Sequence, residues 1–159
     1  SRLAAMNPDV RLTEIPERLS DEALAEAVSQ ADIVLDGCDN FATRFQVNDA
    51  AVAGSTALVS GAAIRLEGQL AVFGPSFGES PCYRCLYQEA DESLDSCSGN
   101  GVLSPVPGVI GTMMAVEALK ALAGLKVETG MLSTYDAMST EWRKLSIRKR
   151  PGCPACGAG

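Results

Sequence analysis

The spacing of apolar residues predicts two helices with a strand between them in the first third of the chain. After Ser20, apolar residues recur at helical intervals, and Ser20 with the acidic residues that follow it suits a helix start. The unbroken apolar run 33–35 ends in Asp, Gly and Asn, which is typical of a short buried parallel strand followed by a loop. Residues 41–52 again carry apolar side chains at helical spacing. The order of strand, loop and helix is typical of half of a nucleotide-binding α/β unit.

The middle of the chain changes to patterns that are typical of strands. Residues 57–64 and 69–73 are rich in strand-forming side chains, and the intervening residues 65–68 suit a hairpin turn. We therefore expect antiparallel pairing here and a mixed sheet overall. Residues 75–106 are rich in Gly, Pro, Ser and acidic residues and are too long for an ordinary connection. They predict a segment that is pinned by a metal or a mobile functional loop.

The last third of the chain predicts an apolar helix and a late strand. Pro107 suits the first turn of a helix and Gly124 suits its end, so the apolar residues between them predict a buried helix with methionines in the core. Trp142, Leu145 and Ile147 lie in a run with intervening polar residues, which indicates a strand before the terminal cysteines.

Composition and charge narrow the class of protein. The 159 residues, 47% of them hydrophobic, support one α/β domain with a sizeable core. The net charge of −7 disfavours binding to nucleic acids or anionic membranes. No uninterrupted apolar run reaches membrane-spanning length, because Glu117 and Lys120 interrupt residues 108–125. No signal-peptide pattern is seen near Ser1, so the cytoplasm is the expected compartment.

The chain contains no histidine. Any mechanism in which this chain itself supplies a Cys–His pair, a Ser–His pair or a histidine metal ligand is therefore excluded.

Four of the six cysteines form two Cys-x-x-Cys pairs, Cys82 with Cys85 and Cys153 with Cys156. This spacing lets both sulfurs of each pair face one tetrahedral ion, and four thiolates without histidine favour a structural zinc ion over an iron–sulfur cluster. Two local disulfides or a thioredoxin-like redox pair are the alternatives. A closed site of four cysteines would tie the C-terminal tail to the segment around Cys82.

A second group of polar residues follows the predicted strand. Asp36, Asp39 and Asn40 lie at its carboxyl end, where open α/β sheets place their ligands. A carboxylate there could hold Mg²⁺ on a nucleotide, or Asp39 or Asn40 could simply cap the next helix. Arg44 could reach a phosphate or pair with Asp39, and Cys38 is read as a small buried side chain.

Several segments together resemble the MoeB/ThiF family of sulfur-carrier-protein adenylyltransferases, relatives of ubiquitin-activating enzymes. They are VLDGCDNFATRFQVND, GQLAVF, CYRCLY, GVLSPVPGVIGTMMAVEALKALAG and CPACG, in this order and over essentially all of residues 1–159. The resemblance implies a Rossmann-like fold and places the chain as the C-terminal portion of a single domain of this type. The Gly-rich phosphate loop and the basic residues with which the family grips ATP are absent from the chain.

The resemblance also implies a reaction. The C-terminal Gly of a small ubiquitin-like carrier ending in Gly-Gly, of the molybdopterin or thiamine type, would be adenylylated by ATP with Mg²⁺. Asp39 would be the magnesium ligand and Asn40 a nucleotide contact, with Arg44 a weaker candidate. It further implies a homodimer, for which residues 107–124 are a candidate interface. Without the phosphate loop and its basic residues, we expect this chain alone to be inactive.

Cys97 lies twelve residues after Cys85 in a polar stretch. In the resembled family a cysteine here can take the activated acyl group as a thioester or enter an acyl disulfide during sulfur transfer, with a sulfurtransferase as a possible donor. The alternative is an idle loop cysteine, because an external sulfur donor can attack the adenylate directly.

Two other classes of function compete with the adenylyltransferase. One is a catalytically silent, zinc-stabilised module that binds a ubiquitin-like protein. The other is a dinucleotide-dependent oxidoreductase, whose G-x-G-x-x-G fingerprint is absent from the sequence.

Overall fold

A five-stranded mixed sheet forms the centre of the structure. The computed structural model describes residues 2–77, 79–88 and 101–157. Within these residues the strands lie side by side in chain order: β1 (Ile33–Asp36), β2 (Ala57–Ile64), β3 (Glu67–Phe73), β4 (Met131–Asp136) and β5 (Glu141–Ser146). β1 and β2 are parallel, and every later pair of neighbours is antiparallel. The predicted mixed sheet is confirmed.

Of the described helices, the two that flank β1 begin at expected capping residues. They are α1 (Arg2–Met6), α2 (Asp21–Ser29), α3 (Phe41–Gly54), α4 (Tyr83–Leu86) and α5 (Pro105–Leu122). The side chain of Ser20 accepts a hydrogen bond from the backbone N–H of Ala23 and so caps α2. Asn40 caps α3 in the same way through Thr43. The two helices predicted around the first strand are therefore confirmed.

Both faces of the central strands of the sheet are covered, because alternate residues of these strands are apolar on both sides. In β3, Leu70 and Val72 pack in one apolar cluster, whereas Ala71 and Phe73 pack in the other. The first cluster contains the buried row of α5, and the second contains the apolar faces of α2 and α3. The result is a sheet between two helical layers.

A two-residue hairpin joins β2 to β3. Ile64 pairs with Glu67, so only Arg65 and Leu66 lie in the turn, and Arg65 has a φ of 53°. Loops of two residues favour positive φ because this matches the twist of the flanking strands. The hairpin predicted for residues 65–68 is confirmed, with a tighter turn.

Strand β4 and helix α4 are not predicted by the sequence pattern. Strand β4, with the sequence MLSTYD, has a polar centre and no regular alternation, yet it pairs with neighbours on both sides. Helix α4 has only four residues and is too short to produce a helical period. Both elements are set by long-range contacts rather than by local pattern.

Helix α5 differs from its prediction in start and in burial. It begins at Pro105, and only the residues at every fourth position are buried: Val106, Ile110, Met114 and Ala118. Leu119 is 65% exposed, so the expected buried helix packs one row of side chains in the core and leaves others exposed. Among the described residues, α5 is also the one helix whose length and composition would allow it to cross a membrane, which the sequence analysis did not expect.

Strand β1 is also less buried than the apolar run suggested. It has β2 as its neighbour and lies at an edge of the sheet formed by the described residues. Leu35 is 46% exposed, whereas Asp36 at the end of the strand is buried. The expected parallel strand is confirmed, but its side chains are only partly covered.

The packing of α5 against the sheet predicts that an alanine destabilises the protein at Gly68 but not at Gly111. A Cβ on Gly68 would lie 2.5 Å from Cδ1 and 2.6 Å from Cγ1 of Ile110, which is 2% exposed. Gly68→Ala should therefore destabilise the protein by about 1–3 kcal/mol through overpacking, measured by urea unfolding.

Gly111→Ala is the matched control in α5. A Cβ there meets nothing within 4 Å, so this change should be neutral or stabilise the helix by up to about 1 kcal/mol. Equal unfolding midpoints for Gly68→Ala and the unchanged protein would show that the helix does not pack as described.

Candidate functional site

A cavity of about 400 Å³ opens at the carboxyl ends of the two parallel strands. One side is formed by the loop after β1 and the start of α3, and the other by the end of β2 and by α5. Its lining residues are Gly37, Cys38, Asp39, Asn40, Phe41, Arg44, Gly61, Ala62, Ala63, Ile64, Glu67, Gln69, Tyr83, Tyr87, Val102, Pro107, Ile110, Gly111 and Met114. This is the edge at which open α/β sheets bind their ligands.

The exposed side chains of Asp39 and Asn40 both line this cavity. Asn40 Oδ1 accepts a hydrogen bond from the backbone N–H of Thr43 at 2.8 Å, so Asn40 is the helix cap. Its Nδ2 donates to Asp39 Oδ1 at 3.2 Å. The capping alternative therefore holds for Asn40, and the exposed carboxylate of Asp39 stays available to a ligand on the cavity side.

Arg44 lies beneath the loop rather than facing a ligand. Its Nη1 donates to Asp36 Oδ2 at 3.3 Å and to Ser60 Oγ at 3.1 Å. Its Nη2 donates to the carbonyl of Gly61 at 2.8 Å and to that of Cys38. The suggested pair of Arg44 with Asp39 is wrong, because the side chain runs back to the ends of β1 and β2 and pairs with Asp36.

These bonds give Arg44 a different role from the one expected of a phosphate ligand. Its side chain is 7% exposed and that of Asp36 is 1% exposed, so the ion pair is shielded from water. One guanidinium connects the last residue of β1, the loop after it and strand β2. This connection fixes the position of the loop that carries Asp39.

The thiol of Cys38 is not set up as a nucleophile. Burial, with the adjacent carboxylate of Asp36, raises the pKa of Cys38 to about 12. A thiol with this pKa carries almost no thiolate at neutral pH. The sequence interpretation of Cys38 as a small packed side chain is consistent with this environment.

The four cysteines of the two Cys-x-x-Cys pairs meet at one point. Their Sγ atoms all lie within 4.8 Å of one another. Cys82 Sγ is 3.6 Å from Cys153 Sγ, and Cys85 Sγ is 3.4 Å from Cys156 Sγ. A tetrahedral ion with zinc–sulfur bonds of about 2.3 Å requires sulfurs about 3.8 Å apart, and both of these distances are near that value.

All four thiols are free, and two short Sγ–Sγ distances join one Cys-x-x-Cys pair to the other. The alternative of two local disulfides therefore does not describe the structure. Cys82 does precede helix α4, which the sequence analysis did not foresee, but this helix has only four residues.

The thiols of this cluster differ in their tendency to ionise. Burial raises the pKa of Cys82 and that of Cys156. Burial also opposes ionisation of Cys153, but hydrogen bonds from the backbone N–H groups of Cys156 and Ala155 outweigh it and lower the pKa of Cys153 to about 6. Cys153 is thus the most readily ionised of the three cysteines Cys82, Cys153 and Cys156.

Sequence reasoning missed parts of both sites. Asp36 was grouped with possible ligands, although its carboxylate is committed to Arg44. The apolar cavity wall from α5, which includes Pro107, Gly111 and Met114, was not foreseen, because residues 107–124 were expected to form a buried helix or a subunit interface. Cys97 lies outside the described residues.

The buried ion pair predicts a large cost for removing its cation. Arg44→Met should destabilise the protein by about 3–5 kcal/mol, because Asp36 would be left as a buried charge without a partner. Urea unfolding measures this loss.

Arg84→Met provides the comparison. Arg84 binds Asp49 through two hydrogen bonds of 2.7 Å, but the side chains are 25% and 44% exposed, so the expected loss is about 1 kcal/mol. Equal losses in the two variants would show that the Arg44 pair is not buried in solution.

The sequence of this chain is similar to those of several known adenylyltransferases. The chain is 46% identical over 156 residues to the sulfur carrier protein ThiS adenylyltransferase of Escherichia coli, covering 98% of this chain and 62% of that protein. It is 44% identical over 156 residues to the molybdopterin-synthase adenylyltransferase of the same organism, with the same coverage. An adenylyltransferase and sulfurtransferase MOCS3 of Drosophila virilis is 42% identical over 161 residues, covering 98% of this chain and 35% of that protein. The chain therefore spans about 60% of the length of the two bacterial relatives.

A solved structure shows the same fold. Escherichia coli MccB with ATP superposes with a TM-score of 0.76 at 17% identity, over 98% of this chain and 48% of that chain. The ThiF family matches residues 1–155. The Rossmann-like fold and the family resemblance seen in the sequence are thus confirmed, and the chain belongs to the ThiF family.

Proposed function

We propose that this chain is part of an enzyme that uses ATP to adenylylate the C-terminal Gly of a small ubiquitin-like sulfur-carrier protein. The relatives named as adenylyltransferases of such carriers support the reaction class. The observation that carries the proposal is the cavity at the ends of β1 and β2. It offers the exposed carboxylate of Asp39 and the amide of Asn40 on one side, and an apolar wall from α5 on the other.

The reaction itself asks little acid–base chemistry of the protein. A carrier's terminal carboxylate is already ionised at neutral pH, so its oxygen can attack the α-phosphorus of ATP without a general base. A new P–O bond forms, the bond to the β-phosphate oxygen breaks, and pyrophosphate leaves with its electron pair. The products are the acyl adenylate and pyrophosphate. The absence of histidine from the chain is therefore no obstacle.

The site must instead position its substrates and balance charge. In this proposal Asp39 would hold the Mg²⁺ that accompanies ATP, and Asn40 would contact the nucleotide. When bound, Mg²⁺ supplies positive charge that offsets the phosphates. The apolar wall leaves room for an extended tail of small residues next to the polar rim.

The positive charge that ATP phosphates need is not available from the described cavity residues. Arg44 is the one cation among them, and its terminal nitrogens are engaged by protein oxygens. We therefore propose that phosphate-binding cations come from other parts of the protein or from a partner subunit. On this ground the chain by itself is expected not to adenylylate a carrier.

Cys97 keeps the role that the family resemblance implies for it. In the proposed reaction it would attack the acyl adenylate, form a thioester and release AMP, before sulfur transfer from a sulfurtransferase donor. Direct attack on the adenylate by an external sulfur donor is the alternative route. Because Cys97 lies outside the described residues, its role remains a prediction from the sequence.

We further propose a structural zinc ion at Cys82, Cys85, Cys153 and Cys156. Four sulfurs within 4.8 Å of one another, from segments far apart in the chain, support this assignment. Four protein ligands fill a tetrahedral zinc site, which leaves no coordination position for a substrate. The ion would tie the C-terminal turn to helix α4.

A homodimer and a cytoplasmic location complete the proposal. The exposed apolar residues Val116, Leu119 and Leu122 form a row along α5 that suits a subunit interface. Cysteines kept as free thiols suit a reducing compartment.

The proposed role of Asp39 predicts a specific loss of activity. In the full-length protein, Asp39→Asn should lower carrier-dependent exchange of labelled pyrophosphate into ATP by at least about a hundredfold, because the metal-binding charge is lost. The urea midpoint should not change, since Asp39 is exposed.

Asp32→Asn serves as the control, because Asp32 is also exposed, lies before β1 and does not line the cavity. It should keep full exchange activity. An Asp39→Asn protein with normal exchange would remove Asp39 from the reaction. If the unchanged full-length protein showed no pyrophosphate exchange, the result would favour the alternative of a catalytically silent module that only binds the carrier.

The proposed zinc site predicts that metal binding releases protons. Because Cys82 and Cys156 have raised pKa values, they are protonated at neutral pH before the metal arrives and must lose at least these two protons on binding. Zinc affinity should therefore fall as the pH decreases from 7, and more steeply below about 6, where Cys153 also becomes protonated. Calorimetric titration in two buffers of different ionisation enthalpy measures the protons released.

Cys38→Ser is the matched control, because Cys38 lies in the cavity loop and outside the sulfur cluster. It should release the same number of protons as the unchanged protein. Zinc binding with no proton release would contradict the assignment of these thiols as ligands.

A further inference from the structure

The two halves of the sulfur cluster come from segments that are distant in sequence. Cys82 and Cys153 are 71 positions apart, and so are Cys85 and Cys156. Before an ion binds, four thiols crowded together gain little from one another, and their thiolates would repel. Other contacts must therefore hold the two segments at the right distance.

Lys149 makes three hydrogen bonds that join these segments. Its Nζ donates to the backbone carbonyls of Phe77 and Ser80, the latter at 3.4 Å, on the approach to the first cysteine pair. It also donates to the carbonyl of Cys156 at 2.8 Å, on the second pair. An ammonium group has three protons and no acceptor, so three carbonyl oxygens satisfy it completely.

The residue after Lys149 reinforces the same connection by another route. The backbone N–H of Arg150 points to Cys85 Sγ at 3.4 Å, and the carbonyl of Arg150 accepts from the backbone N–H of Cys153 at 3.1 Å. The side chain of Lys149 and the main chain of Arg150 thus attach the C-terminal turn to the first pair at separate points.

The charge of Lys149 also suits the occupied cluster. Four thiolates and one divalent ion leave two net negative charges. An ammonium group bonded to the carbonyl of a ligand cysteine lies close enough to offset part of this charge in a partly buried setting. Groups outside the ligand shell are known to tune metal affinity in this way.

We propose that Lys149 is a positioning residue of the metal site, which clamps the two Cys-x-x-Cys segments together and balances the charge of the four thiolates. This inference rests on the proposed zinc site and not on adenylylation. The clamp acts on metal retention, because it holds the ligands of one segment in place when a ligand of the other segment dissociates. Loss of the Lys149 clamp should therefore have a larger effect on the rate of zinc release than on the free energy of unfolding.

The test compares zinc release from two variants of the zinc-loaded protein. Lys149→Met keeps most of the aliphatic length and removes all three donors, and it should release zinc to a chromogenic chelator at least about tenfold faster than the unchanged protein. Lys144→Met is the matched control. Lys144 pairs with the exposed carboxylate of Glu128 at 2.6 Å and does not contact the cysteine segments, so its release rate should be unchanged.

Urea unfolding of the same samples separates clamping from a general loss of stability. If Lys149→Met does not fold, Lys149→Gln, which retains two donors, should also release zinc faster than the unchanged protein. A folded Lys149→Met protein that releases zinc at the normal rate would overturn the proposal, as would equal acceleration in Lys144→Met. An unchanged protein that binds no zinc would overturn the metal site itself, whatever the result for adenylylation.

Discussion

The buried ion pair between Arg44 and Asp36 is the interaction on which the candidate site depends. A charge buried without a partner is costly, so each of these side chains requires the other where the parallel strands end. Hydrogen bonds from the same guanidinium to Ser60 and to the carbonyls of Cys38 and Gly61 extend the constraint to the loop and to β2. The position of Asp39 at the cavity rim follows from this arrangement.

A second constraint comes from the cysteine cluster, and helix α4 connects it to the cavity. Cys82 directly precedes helix α4, and Cys85 lies within it. Tyr83, which lies between the two cysteines, lines the cavity. The backbone N–H of Tyr83 donates to the fully buried Asn48 of α3 at 2.8 Å, and its ring packs edge-on to Phe45 at 5.8 Å. A metal that orders the cysteines would therefore also order one wall of the cavity. This gives a structural metal a route of influence on binding without a place in the chemistry.

The sequence predicts the elements whose signals are local and misses those that depend on distant partners. Ser20 and Asn40 mark their helix starts because capping is a contact within one turn. The two Cys-x-x-Cys pairs predict their meeting point because their ligand chemistry admits few alternatives. The partner of Arg44 could not be read from spacing, since Asp36 and Asp39 both lie within reach along the chain and only the fold chooses between them. The role of Lys149 was equally hidden, because its partners are backbone carbonyls that carry no sequence signal.

The central claim is that the cavity at the ends of β1 and β2 serves the activation of a carrier's terminal carboxylate. The most direct measurement is the intact mass of a ubiquitin-like carrier ending in Gly-Gly after brief incubation with the full-length protein, ATP and Mg²⁺. We expect a carrier that gains one adenylyl group, together with release of pyrophosphate, and no change for a carrier whose terminal Gly has been removed. A carrier that is bound by the protein yet never gains this mass would show that the cavity does not serve this reaction.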